Sequence, residues 1–438
     1  MSPSYCDGLT RRNFLRVGSL GGLSLAQALR MKQAARAEGV AKKDVNCIFI
    51  FLIGGMPQHD MWDPKPTAPA EIRGDFKPAK TSLPGVQFTD VMPGLCKVAD
   101  RLAVLRSMTH GDSDHGRGYH IMMTGMIPGP GDFNAAKNNN VHPSLGSLVA
   151  RLGKNSGSLP PYISVPGFLR SGGPSFLGAG YAPFVVEADP AAPDFTVRDI
   201  VLPDSVASSR AMRRQEALRE INRFERRVED VSKDVRSLDT FYEKAYNLMT
   251  STKAKEAFAI DREQESTRQA YGTTSLGQCC LLARRLVEAN CRFVSIEHGH
   301  WDTHRENTRS LRDLLVPSVD RAVPALIEDL QQRGLLDSTL VVLTTEFGRT
   351  PRINTMAGRD HWPNAFSIML AGGGLKKGIV IGATDKIGAY VADRPITPGD
   401  MAATVLTALG IPPDTIMHTP LGRPVEAGSG GKCVTEVF

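Results

Sequence analysis

Most of the features that would assign this chain quickly are missing from it. Only 6% of its 438 residues are aromatic. Its seven cysteines (Cys6, Cys47, Cys96, Cys279, Cys280, Cys291 and Cys433) form no CxxC pair, which excludes the paired zinc, dithiol-redox and haem-attachment motifs. No Walker loop, no GxSxG nucleophile elbow and no complete GxGxxG fingerprint occurs, so the common nucleotide-binding and serine-hydrolase readings fall away. Beyond the N-terminal segment, no stretch approaches the ~18 apolar residues of a membrane span. Charge of one sign does not dominate either: 52 Lys and Arg stand against 46 Asp and Glu. They are intermixed along helix-like stretches, the pattern of a solvated face, and no nucleic-acid footprint follows. Internal repeats are absent.

What is present is a strand–helix alternation. Residues 44–53 (DVNCIFIFLI) form a continuous apolar run ending at Gly54-Gly55, the signature of a strand buried on both faces of a parallel sheet. Similar runs recur at 102–107, 160–165, 292–297, 339–345 and 365–371, and helical patterns lie between them at 90–100, 116–124, 142–153, 278–290 and 308–334. This predicts an α/β fold, a doubly wound and mostly parallel sheet flanked by helices. Thr397, Pro398 and Gly410 punctuate one further helix. Cys47 and Cys291 fall in strand-like runs and Cys279 and Cys280 in a helical one, so buried thiols are expected.

Three segments stand apart. The N-terminus, with Arg11-Arg12, Phe14-Leu15, a mildly apolar Gly- and Leu-rich run and Ala35-Arg36-Ala37, reads as a twin-arginine export signal at 1–37. An amphipathic helix is the alternative. One domain is expected over 38–428. Within it, 206–258 carries apolar residues at helical spacing among many charges and reads as a helical insertion. The Gly-rich end, 429–438, reads as a flexible tail.

Eight of the ten histidines sit in four clusters beside carboxylates. They are MPQHDMWD (His59, Asp60, Asp63), THGDSDHGRGYH (His110, His115, His120), EHGHWDTH (His298, His300, His304) and GRDHWP (Asp360, His361). Metal binding and proton transfer are the common uses of histidine. Strand-end loops are where such sheets build sites, so the clusters are expected to converge. The candidate metal ligands are Asp60, Asp63, His300, Asp302, His304, Glu346, Asp360 and His361. Mixed His and carboxylate ligation suits zinc, manganese or iron better than calcium. His115 and His59 are candidate general acid–base groups. Arg349, directly after Glu346 and two neighbours, offers a guanidinium fork for a sulfate or phosphate oxyanion, and Arg117 is a second candidate.

The runs Tyr271-Gly272, Leu281-Leu282-Ala283-Arg284-Arg285-Leu286-Val287-Glu288-Ala289 and Trp301-Asp302-Thr303-His304, with GGMPQHDMWDPKP, TTEFGRTP and GRDHWP, resemble the domain-of-unknown-function 1501 family. That family is abundant in planctomycetes and commonly carries twin-arginine signals. It is in turn similar to the alkaline phosphatase-like superfamily, which includes sulfatases. The resemblance implies an exported, metal-dependent hydrolase of sulfate or phosphate esters, acting on a small-molecule or glycan ester. It also marks departures. Counting back from Thr124-Gly125, the superfamily's nucleophile position falls at His115, where no Ser, Thr or Cys stands. Its Asp-His ligand pair falls at Glu346-Phe347. A single-metal site is therefore expected, and a non-catalytic exported binding protein with a degenerate site is the alternative.

Overall fold

The computed structural model describes residues 44–129, 141–155, 157–197, 248 and 251–438. The proposed export signal and nearly all of the 206–258 insertion lie outside the described residues. The central sheet has eight strands: β1 (Asn46–Leu52), β2 (Leu102–Met108), β3 (Tyr162–Val165), β4 (Phe184–Val185), β5 (Phe293–His298), β6 (Thr339–Thr345), β7 (Phe366–Gly372) and β8 (Ile379–Ile381). Their spatial order is β8-β2-β7-β6-β1-β5-β3-β4. Every adjacent pair is parallel except the two made by β7, which runs against β2 and β6.

The alternation within β1 sets up the layers. Ile48, Ile50 and Leu52 enter one apolar cluster, and Cys47, Phe49 and Phe51 enter the other. Side chains leave a strand on alternate faces, so a wholly buried strand needs cover on both. Helices α3 (Ser275–Glu288) and α4 (Val316–Gln332) supply it on the first face, and α1 (His115–Thr124), α2 (Leu145–Leu152) and α5 (Pro398–Ala408) on the second. The result is a doubly wound, mostly parallel sheet between helical layers. The expected helix after Thr397 begins with a full capping box: Thr397 accepts from Asp400 N–H, and Asp400 accepts from Thr397 N–H.

Local chemistry explains the departures. The stretch read as one helix over 308–334 is Asn307–Ser310, a π turn at Leu311–Leu315, and then α4. Pro317 lies in the first turn of α4 and has no N–H for the preceding turn's carbonyl, so the ladder widens before it. The C-terminal end is a correction. Residues 429–438 are packed: Val434 and Val437 are fully buried, and Lys376 N–H donates to Val437 O at 2.7 Å. Its glycines serve close approach, since a Cβ on Gly431 would stand 2.0 Å from the Gly399 carbonyl carbon. The six described cysteines are free thiols, five of them buried.

The α3–α4 layer is locked by charge. Arg284, with 1% of its side chain exposed, reaches Glu263 at 2.7 Å, Glu288 at 2.7 Å and Asp329 at 2.9 Å. Tyr271 Oη donates to Asp329 at 2.8 Å. Removing one partner of a buried ion network leaves uncompensated charge. We expect Arg284→Ala to lose about 3–5 kcal/mol in urea unfolding, with the site residues unaffected in spectroscopic metal titration. A loss below about 1 kcal/mol, the level of an exposed pair, would mean the network contributes little.

Candidate active site

Five strands deliver the site to one edge of the sheet. β1 ends at Gly54-Gly55, β2 leads to His110 and His115, β5 to Asp302 and His304, and β6 to Glu346. Asp360 and His361 precede β7, and because β7 is antiparallel, its beginning lies where the others end. A two-stranded ribbon pairs His361 with Arg349 and holds the last cluster in place.

Asp302 stands at the centre. Its Oδ1 is 3.1 Å from His361 Nε2 and 3.0 Å from His304 Nε2, and its Oδ2 is 3.3 Å from His115 Nε2. The two imidazoles His304 and His361 approach at 2.9 Å, Nε2 to Nε2. Ligand atoms of His115, Asp302 and His361 all lie within 4.8 Å of one another. The opposite nitrogen of each ring is turned outward onto an oxygen. His115 Nδ1 meets Glu346 Oε1 at 2.7 Å, His304 Nδ1 meets Asp360 Oδ1 at 2.6 Å, and His361 Nδ1 meets the Ser113 carbonyl at 2.8 Å. A carbonyl or carboxylate oxygen accepts, so each Nδ1 donates outward and each Nε2 is left facing the Asp302 carboxylate, where it can donate to that carboxylate or, once deprotonated, offer a lone pair to a cation. Second-sphere oxygens orient metal-ligating histidines in this way.

The electrostatics agree. Burial raises the Asp302 carboxyl, but the Arg349 guanidinium outweighs it and, with His361 and His115, holds it down at about 2. Burial lowers His115, yet Glu346 and then Asp302 lift it above the usual imidazole range. Burial lowers His361.

Glu346 is fully buried and fixed from two sides: Gly54 N–H donates to Oε1 at 2.7 Å, and Thr345 Oγ1 donates to Oε2 at 3.0 Å. It therefore orients His115 from behind. Gly54 can do this only as glycine. Its φ is +124°, and a Cβ there would meet Asp302 N at 2.2 Å.

The structure does not bring all the predicted residues together. Asp60 is taken up in a buried ion pair: Arg359 Nε donates to it at 2.8 Å and Nη2 at 3.1 Å, and Asn307 Nδ2 donates at 2.8 Å. Its lone pairs are spent on structure. Asp63 accepts from Thr384 Oγ1 at 2.5 Å and pairs with Lys65 at 2.9 Å. His59 is buried with Nε2 on the Ile387 carbonyl at 2.7 Å, and burial lowers it to about 4. It anchors the 385–390 loop rather than facing Asp302. His300 sits at φ +73° and is exposed, turning the chain between His298 and Asp302. Arg117 is bound to Asp112 and to the Pro128 carbonyl.

The oxyanion fork expected of Arg349 is corrected too. Arg349 is fully buried. Nε donates to Gly55 O at 3.2 Å, Nη1 to Arg359 O at 2.9 Å, and Nη2 to the Gly54 carbonyl, to Trp301 O at 3.1 Å and to Asp302 Oδ1 at 2.5 Å. Buried among these acceptors, it presents no exposed donor to a substrate. The residue positions Asp302 and ties three loops together. Sequence reasoning also passed over Arg359 and Gly54. Both lie inside the motifs that were recognised, but only their partners reveal their work.

The family model described as "Protein of unknown function (DUF1501)" matches residues 44–438. No curated protein matches the sequence. Solved structures similar in fold include a protein in the alkaline phosphatase superfamily from Vibrio parahaemolyticus, 12% identical over 91% of this chain and 71% of that one, with a TM-score of 0.41. A 2-O GAG sulfatase is 12% identical over 90% of this chain and 74% of its own, with a TM-score of 0.42. A sulfatase from Pseudoalteromonas sp. is 14% identical over 88% and 70%, with a TM-score of 0.38.

Proposed function

The chain belongs to the DUF1501 family, and from that premise we propose that it is a metal-dependent hydrolase of sulfate or phosphate esters with a single-cation site. One observation carries the reading: the Nε2 atoms of His115 and His361 converge on the Asp302 carboxylate while the Nδ1 of each ring is committed outward. With those two Nε2 atoms deprotonated, a cation at their meeting point would be held by both lone pairs and the carboxylate at once. The donor set of imidazoles and a carboxylate fits zinc, manganese or iron and is poor for calcium.

In this reading His115, Asp302 and His361 hold the ion. Bound there, it supplies Lewis-acid stabilisation of charge on the ester oxygens. The chain's own residues do the rest. Glu346 keeps the His115 ring in one tautomer. Arg349 holds Asp302 anionic and aimed. His304 lies beside the triad, more exposed than His115 and His361, with Nδ1 on Asp360; its Nε2 is the atom placed to take and return a proton, as a carboxylate-oriented base does. Neither His59 nor Arg117 has a role in this chemistry. The Arg11-Arg12 segment supports export by the twin-arginine route, which carries proteins already folded and loaded. No described helix is long and apolar enough to cross a membrane.

The test is metal analysis of the purified, exported protein together with hydrolysis of 4-nitrophenyl sulfate and 4-nitrophenyl phosphate. The expected result is about one divalent ion per chain and turnover that a chelator abolishes and the metal restores. His304→Ala should keep the ion and lose about 10²–10⁴ in kcat. A well-folded protein that takes up no zinc, manganese or iron would reject the proposal and favour a binding role.

A further inference from the structure

One guanidinium beside the cluster has no acid paired to it. The loop after β3 is pinned along its length: Leu169 N–H donates to Ser164 Oγ at 3.1 Å, Gly172 N–H to Leu169 O at 2.9 Å, and Ser144 Oγ to Gly172 O at 2.8 Å. It presents an exposed Arg170 over the Tyr119 ring, Cζ 5.9 Å from the centroid. Among the described residues Arg170 has no hydrogen bond or ion pair of its own. Arg349 and Arg359 are committed to backbone carbonyls and to Asp302 and Asp60, and Arg117 to Asp112.

Tyr119 joins Arg170 to the cluster. Its ring stacks on His115, centroids 5.9 Å apart and planes 22° from parallel, and meets Phe51 edge-on at 5.7 Å. Phe51 is in register with Glu297 on β5, so Glu297 points to this same face of the sheet, one residue before the strand ends. Glu297 is half-buried and accepts no hydrogen bond among the described residues. Burial pushes its carboxyl up, and Arg170 is the charge that opposes the rise. An anion acceptor and a hydroxyl acceptor thus flank Tyr119 without closing on each other.

We propose that Arg170 and Glu297 form the recognition wall of the site, Arg170 taking the oxyanion and Glu297 a nearby hydroxyl of a sulfated or phosphorylated polyol such as a sugar. The proposal rests on the ester-hydrolase reading, because it needs the oxyanion presented beside His115 and Asp302. It adds the substrate class, which that reading leaves open. A guanidinium matches sulfate or phosphate with two parallel hydrogen bonds. A carboxylate beside it has nothing to accept from an aryl or simple alkyl ester, and a site with an unpaired polar group discriminates against such ligands. The pinned loop means that little ordering entropy is lost on capture.

Equilibrium binding tests this without needing turnover. Calorimetric titrations of the metal-supplemented full-length protein use inorganic sulfate, inorganic phosphate, glucose 6-sulfate and glucose 6-phosphate. Arg170→Ala is expected to weaken all four at least about tenfold, the size of a lost charge-assisted hydrogen bond, and Arg170→Lys to recover part. Metal content and melting temperature should match the parent. Glu297→Gln should weaken the sugar esters about tenfold relative to the inorganic anions. The sulfate and phosphate arms identify which ester the wall prefers. If Arg170→Ala binds the anions within twofold of the parent, or the parent binds none of the four, the inference is overturned. If Glu297→Gln leaves the ratio of sugar ester to inorganic anion unchanged, the polyol assignment is overturned. A parent that takes up no metal yet loses anion binding in Arg170→Ala rejects the hydrolase reading while upholding the wall.

Discussion

Asp302→Asn should leave the protein folded and abolish uptake of the proposed metal. Asp302 is the one carboxylate that faces all three Nε2 atoms, at 3.0, 3.1 and 3.3 Å. An amide keeps an oxygen for the Arg349 guanidinium but brings no charge to offset a cation held with His115 and His361. Loss of an outer-sphere partner typically weakens metal affinity 10–100-fold, and loss of the central ligand should exceed the upper end of that range, with chelator-reversible hydrolysis gone. Competition titration with a chromogenic chelator measures it, and retention of metal at parental affinity would remove Asp302 from the ligand set. The pH dependence follows in sign. The Asp302 carboxyl is depressed from 3.8 to about 2 in the fold, so its pairing stabilises above the unfolded value and is lost only as pH falls from about 4 toward 2. The proposed metal should leave earlier. His115 is raised above the ordinary imidazole value by Glu346 and Asp302, and protons displace a cation from it as pH falls through that range. Between these limits the apoprotein should remain folded, which circular dichroism alongside metal content would check.

Arg349→Lys should damage the fold rather than substrate capture. The guanidinium serves the carbonyls of Gly54, Gly55, Trp301 and Arg359 and the Asp302 carboxylate while fully buried. A lysine brings one nitrogen and three donors, and its reach cannot cover groups spread over three loops. Each buried acceptor left without a donor costs about 1–3 kcal/mol, so two or three of them take a substantial part of a stability of about 5–15 kcal/mol. We expect a urea midpoint lowered in proportion to about 3–5 kcal/mol, with metal affinity reduced because Asp302 is no longer held. A variant of parental stability and full metal content that differs only in KM would restore Arg349 to direct substrate binding.

The contrast between these two residues marks what could be read in advance. The strands were legible because β1, β6 and β7 are buried on both faces and so carry largely apolar runs, and the capping box of α5 is a local code. The meeting of Asp302, His304, Glu346 and His361 was legible from topology, since parallel strands end on one edge. Whether a given acid or guanidinium faces that edge or the protein interior was not legible. Asp60 and Asp302 look alike as sequence, each an acid after a strand beside a histidine. Arg359 claims the first through contacts 299 residues apart in the chain, and no local pattern encodes a partner at that distance. Arg349 looks free beside Glu346 until the carbonyls of three separate loops are seen closing on it. Arg170 carried no motif, and only the stacking of Tyr119 on His115 brings it to the site. The sequence by itself determined the layers, the strand ends and the residue types available there, because burial and capping are written in neighbouring residues. The tertiary structure alone decided which polar groups spend their hydrogen bonds on one another and which remain open, because that is settled by partners far apart in the chain.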